Sequence, residues 1–247
     1  MNIEEFALGH SIVHKMDPRA RILAALVFSV VTALIHSLWA AALASVFPAV
    51  LILAARISIR GVMSRLAVVN TFILFLWLFL PFTSQGEIVY AFGPLKVHDE
   101  GLRLALLMTL KSNAIVMALI ALLATCPVVN LVHALSHLGV PDKLVHLFFF
   151  CFRYLHVIHD EYHRLANAMK IRGFRPRTDI HTYRSVAHLV GMLLVRSFDR
   201  SSRILDAMKC RGFKGRFYIL GHYEMKPRDY CVAASSMIFS ALLLVVR

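Results

Sequence analysis

The sequence predicts an all-α membrane protein, with about five transmembrane helices and a cytoplasmic module of one short and two long amphipathic helices. Three observations carry that reading. Of the 247 residues 59% are hydrophobic, and the mean hydropathy is +0.68, above the roughly half-apolar composition of soluble domains. Several apolar runs approach the ~20 residues needed to cross a bilayer. The stretch AMKIRGF at 168–174 also returns as AMKCRGF at 207–213, each copy closing an apolar stripe at helical spacing.

The opening MNIEEFALGHSIVHKMDPRAR is too polar and too long for a cleavable signal, so the first helix is expected to stay in the membrane. Candidate spans follow at about Ile22–His36 and Leu38–Ala55, joined as a hairpin at His36-Ser37. Arg56, Arg60 and Arg65 come next, then a third span at about Leu66–Phe82. The acidic stretch 84–100, punctuated by Gly and Pro, reads as a loop with room for a short hairpin. A fourth span covers about Leu102–Thr125, and a last one about Tyr230–Val246. Arg19, Arg21 and the three arginines after the second span lie on one side, the acidic loop on the other. The positive-inside rule then predicts a multi-pass protein of the cytoplasmic (inner) membrane with a cytoplasmic N-terminus. The expected divisions are 1–126 (four spans), 127–228 (cytoplasmic) and 229–247 (final span).

Lys and Arg number 27 against 14 Asp and Glu. Such an excess can signal nucleic-acid binding, but the dominance of apolar spans argues against that partner. Cys126, Cys151, Cys210 and Cys231 show no C-x-x-C spacing, hence no disulfide framework and no zinc ribbon.

The cytoplasmic region opens with a short helix at about 128–138, bounded by Pro127 and by Gly139 and Pro141. From Arg153 to Arg228 basic residues outnumber acidic ones by more than two to one, and the apolar residues become periodic. Leu144, Phe148, Cys151, Leu155, Ile158, Tyr162, Leu165 and Met169 mark one helix face. Adding 39 to each gives Tyr183, Ala187, Val190, Leu194, Ser197, Ser201, Ile204 and Met208, a second stripe broken by two serines. The repeat is therefore a whole helix of about 28 residues, roughly 42 Å long. Pro176 prevents the two from joining into one rod. Ser197 and Ser201, being small, can mark where the helices cross; polar residues facing water or a neighbour would look the same.

Gly173 and Gly212 stand where a left-handed residue commonly ends a helix. Lys170, Arg172, Lys209 and Arg211 can complement the helix dipole there. Such a cap needs some cation at each end, but not the same Ala168/Ala207, Met169/Met208 and Phe174/Phe213. An identical tip written twice suggests two equivalent sockets, with Arg172 and Arg211 making forked pairs to carboxylates and Phe174 and Phe213 as apolar anchors.

With MDPRARI at 16–22 and RSFDRSSRILDAMKCRGFKGRF at 196–217, these tips carry a resemblance over nearly the whole chain. The sequence resembles the transmembrane T component of energy-coupling factor (ECF) transporters, most of all the cobalt-type CbiQ branch. That resemblance implies a non-catalytic coupling subunit. In the family each long helix ends in a short Arg-centred motif, often Ala-Arg-Gly, that docks on an ATPase subunit. Ile171 and Cys210 here replace that Ala, which leaves the Arg role intact and the flanking contact open. The implied partners are two ABC ATPase subunits, a substrate-binding membrane subunit and, as an open case, a small accessory membrane subunit. ATP and Mg would sit on the ATPases, with no cofactor on this chain. Cobalt is the first implied cargo, with nickel or a vitamin as alternatives. No G-x-x-x-x-G-K-[ST] occurs in the chain.

A rival enzyme reading rests on His159 and His163, whose i, i+4 spacing can bind zinc as in H-E-x-x-H proteases. Asp160 stands where such a motif has Glu, and the second copy carries Phe198 and Ser202 instead of the histidines. A polar helix face explains the pair without metal, as it does His133 and His137. Lys111 lies inside the fourth span, where an ionisable group is costly; it can contact a partner subunit or snorkel to the interface. Lys111, Asn113, Asn70 and Thr71 are few polar groups for a channel or a transporter acting alone.

Overall fold

The computed structural model describes residues 6, 9, 11, 13–83, 88–92, 95–213 and 227–245. Apart from one short hairpin, these residues are helical wherever they form regular structure. They divide into two compact units, Met1–Leu138 with Tyr223–Arg247, and Gly139–His222.

In the first unit, α1 (Pro18–Leu34) starts at the MDPRARI motif. Asp17 caps it by accepting from the Arg19 amide at 2.8 Å, and Pro18 fills the first position, whose amide needs no partner. α2 (Leu38–Ala55) is capped by Ser37 and stops at Arg56, which takes a left-handed φ of 51°. α3 (Ile59–Thr83) begins seven residues before the expected span, because the Ser58 hydroxyl accepts from the Gly61 amide and lets the helix take in Arg60 and Arg65. The guanidinium of Arg65 lies over the Phe6 ring, 4.3 Å from its centroid. β1 (Ile88–Phe92) and β2 (Leu95–His98) pair antiparallel as the hairpin foreseen between spans. α4 (Asp99–Leu119) runs on into a π-helical turn at Ile120–Ala124. α5 (Val128–His137) is the expected short helix, and α8 (Pro227–Val245) the last one; Val246 lies outside the described residues.

Three of these helices, Leu38–Ala55, Ile59–Thr83 and Asp99–Ala124, are long and apolar enough to cross a membrane. The 17-residue α1 spans about 26 Å, short of the ~30 Å hydrocarbon core, and its first turns carry Arg19 and Arg21. The described apolar stretch of α8 is Ala234–Leu243.

α2 packs on α4, α3 on α4, and α1 on α8. Ala40, Ala41, Ala44, Ala114 and Ala118 are fully buried where α2 meets α4; small residues let the backbones approach in the absence of a water-driven collapse. Phe28, Phe47 and Phe239 fill the remaining space, with ring centroids 5.5 and 5.2 Å apart. Phe72, Leu74, Phe75 and Leu78 of α3 are exposed, as a lipid-facing surface requires.

Two basic residues find partners within the unit. Arg21 is not a surface charge near the membrane: it is 1% exposed, and its Nη1 donates to Thr125 Oγ1 at 3.4 Å, at the end of the π turn. Lys111 donates to the Ala33 carbonyl at 2.9 Å, satisfying one of the acceptors that the last turn of α1 leaves open. Packing keeps α5 with the first unit. α5 buries Val132, His133 and Ala134 and packs on α1, so the second unit begins at Gly139.

Candidate functional site: two capped helix ends and a charged crossing

The second unit is a pair of long helices, α6 (Asp142–Ile171) and α7 (Ile180–Cys210). They run 30 and 31 residues, close to the length read from the stripe. Asp179 caps α7 by accepting from the Thr182 amide at 2.8 Å, and the Thr182 hydroxyl accepts from the Arg177 amide at 3.1 Å. The hydrogen bonds from Thr182 hold the Asp179 carboxyl below the usual carboxylate range, with His181 adding a smaller attraction.

Both helices end in the same backbone geometry. Arg172 has φ −78° and ψ 11°, Arg211 φ −88° and ψ 10°. Gly173 and Gly212 each have φ +81°, a region L side chains rarely occupy. The Gly173 amide donates to Lys170 O at 3.0 Å and the Phe174 amide to Met169 O at 3.1 Å. At the second tip Gly212 donates to Lys209 O and Phe213 to Met208 O, each at 3.0 Å. This is the Schellman motif, which also favours an apolar pair between its first and last positions. The left-handed Gly and an apolar pair, here Met and Phe, are therefore what this cap favours, so three of the repeated letters serve the helix end itself. Ala168 and Ala207 supply carbonyls to the Arg172 and Arg211 amides at 3.3 and 3.2 Å, a role that asks nothing of their side chains.

The cap makes no use of the arginine side chains. Arg172 and Arg211 are exposed, and among the described residues neither joins an ion pair. Phe174 and Phe213 are half-buried, so each tip is more exposed at its arginine than at its ring. Lys209 is 3.9 Å from Asp206; the first tip has Asn167 at the equivalent position. The continuation of the second tip, Lys214–Phe217, lies outside the described residues.

Behind the tips the helices cross on a charge cluster. Glu161 of α6 is 7% exposed and accepts from Arg196 of α7. Arg200 is 3.6 Å from its second carboxylate oxygen, and Arg164 3.8 Å. The hydrogen bond from Arg196 holds the Glu161 carboxyl below the usual range, reinforced by the charges of all three arginines. Ser197 and Ser201 line the groove beside this cluster, and the Ser201 hydroxyl is satisfied by Phe198 O at 2.8 Å in its own helix. The side-chain bonds between the two helices run through the Glu161 carboxylate.

A sequence signal for this contact did exist. Position 161 maps onto 200 under the offset of 39, and this is the one place in the aligned repeat where the copies carry opposite charges. Two like helices crossing at equivalent heights bring equivalent positions together, as at a two-fold axis. Identical charges would repel there; Glu161 and Arg200 attract. A groove of about 600 Å³ opens along the crossing, lined by Phe150, Tyr154, Ile158, Leu205, Met208 and Phe213 among others. The second tip is thus continuous with an apolar surface.

His159 and His163 come together with Nε2 atoms 3.0 Å apart. Among the described residues no group of three or more His, Cys, Asp or Glu side chains is placed to hold a metal.

Three helices long and apolar enough to cross a bilayer, together with a pair of long amphipathic helices, define an all-α polytopic membrane protein. A family model for CbiQ, described as a cobalt transport protein, matches residues 9–219. The energy-coupling factor transporter transmembrane protein EcfT of Bacillus subtilis is 24% identical, covering 100% of this chain and 98% of its own length. EcfT of Heliobacterium modesticaldum is 27% identical over 90% of this chain and 88% of its own. EcfT of Ruminiclostridium cellulolyticum is 22% identical over 87% and 84%. The chain belongs to the CbiQ family and is a transmembrane T component of the energy-coupling factor type.

Proposed function

We propose that this chain is the coupling and scaffold subunit of an ATP-driven importer, docking two ABC ATPase subunits through Arg172 and Arg211. The observation that carries this reading is the pair of exposed guanidinium groups presented on matching backbone caps. A Schellman motif accounts for Met, Gly and Phe, the helix dipole asks only for some cation at each end, and a forked pair with a partner carboxylate gives arginine at both a role. The ATPases hydrolyse ATP and hold Mg; this chain performs no catalysis. α6 and α7, pinned at Glu161, pass the closing and opening of the ATPases to a separate substrate-binding membrane subunit. The N-terminus is cytoplasmic, since Arg56, Arg60 and Arg65 follow the first helix pair. Cobalt is the favoured cargo because the matching family model carries that description; nickel and vitamins are the alternatives.

The test is a pull-down from detergent with a tag on this chain, comparing wild type with the Arg172→Glu/Arg211→Glu double variant. Reversing a charge at a buried forked pair costs about 2–5 kcal/mol, so ABC ATPase subunits should co-purify with the wild type and be lost from the double variant. Each single variant should lose less. Retention of the ATPases by the double variant, or their absence from the wild type, would overturn the docking role.

A further inference from the structure

His159 and His163 have no part in the tips or in the crossing. They lie one turn apart on the exposed face of α6, with ring centroids 4.4 Å apart and ring planes at 82°. The contact between their Nε2 atoms at 3.0 Å needs a proton on one nitrogen and a lone pair on the other. The same spacing suits a different occupant. Two imidazole nitrogens about 2.1 Å from one ion and at a right angle stand about 3.0 Å apart, whereas a tetrahedral ion would hold them about 3.4 Å apart.

We propose that His159 and His163 form a chelating site for a divalent transition-metal ion of square-planar or octahedral preference, such as Cu²⁺ or Ni²⁺. Both imidazoles bind through Nε2 and keep their remaining proton on Nδ1, so no proton need leave the pair. The helix supplies the preorganisation, since positions i and i+4 already share a face. Glu161 is committed to Arg196 and Arg200 across the crossing. With no third protein ligand among the described residues, water completes the coordination sphere and the ion exchanges readily. The second copy of the helix has Phe198 and Ser202 at the equivalent positions, so the repeat provides one such site per chain. His133 and His137 share the spacing, but His133 is buried and their rings meet edge-on at 4.9 Å. The site is independent of ATPase docking and survives if that reading fails.

The probe is Cu²⁺ presented as its iminodiacetate complex, which keeps two adjacent coordination positions open and so selects chelating pairs over single histidines. It is titrated into the full chain in detergent after stripping with EDTA, and electron paramagnetic resonance reads the equatorial nitrogens. The wild type is expected to bind one equivalent with two imidazole nitrogens. His159→Gln and His163→Gln should each lower that affinity by at least about tenfold, because the second imidazole binds intramolecularly. The double variant should fall little further, and His137→Gln should leave the signal unchanged. Unchanged affinity and nitrogen signature in both single variants, or loss of the first equivalent in His137→Gln, would overturn the proposal.

Discussion

Replacing Gly212 by Ala separates the cap at the second tip from whatever its arginine does. Gly212 has φ +81°, and nothing lies within 4 Å of where a Cβ would stand. Steric clash with neighbours is thus absent, and the whole cost is conformational, about 1–2 kcal/mol for an L residue held in the left-handed region. Two amides report on it directly, Gly212 donating to Lys209 O and Phe213 to Met208 O. Hydrogen–deuterium exchange at those two amides should accelerate about five- to thirtyfold, the equilibrium equivalent of that cost. Arg211→Ala should leave both rates unchanged, because the cap is made by backbone groups and the guanidinium takes no part in it. Gly173→Ala should repeat the result at the first tip, where φ is also +81°. If Arg211→Ala accelerated exchange as much as Gly212→Ala, the arginine would be a structural part of the cap. No acceleration in Gly212→Ala would remove the Schellman assignment itself.

Two further outcomes follow from the geometry. Glu161 and Asp179 both have carboxyls held below the usual range, so their contribution to stability is full above the ordinary carboxylate pKa of about 4 and is lost as pH falls through the lower, folded-state values. Acidification should therefore lower the thermal midpoint of α6–α7 packing, and Glu161→Gln should lower it at neutral pH while flattening its dependence on acid; a Gln variant with an unaltered profile would deny Glu161 the role of pin. Lys111→Met leaves the Ala33 carbonyl without its 2.9 Å donor and should cost about 1 kcal/mol in detergent unfolding, with Lys111→Arg recovering most of it; equal loss in both would mean that the ammonium's shape, not its donor, matters.

How much of this was legible in the residues varies from element to element. α2 was readable to its ends, because Ser37 caps it and a run that is apolar but for Ser45 and Pro48 fills it. α6 and α7 were readable from their 3.6-residue stripes, and their ends from Gly173 and Gly212. α3 was not, because its first turn is basic and looks like a loop until the Ser58 cap is seen. The crossing leaves its trace in the repeat, where Glu161 and Arg200 carry opposite charges at equivalent positions.

By itself, the sequence determined the class of protein, the duplicated helix and the left-handed ends, since these depend on hydropathy, period and local backbone preference, all of which act over one turn or one span. Only the tertiary structure decided which charges are inside. Arg21 was counted with the membrane-flanking charges and is buried against Thr125. Lys111 looked stranded in a span and meets a carbonyl 78 residues away in the chain. Glu161 looked like one more acid on a polar face and gathers three arginines. A charge is placed by the partners that surround it, and partners that are distant in sequence leave no local signature. The separation of cap from guanidinium at each tip is of the same kind: the letters were identical, and only the hydrogen bonds show which of them the helix end already uses.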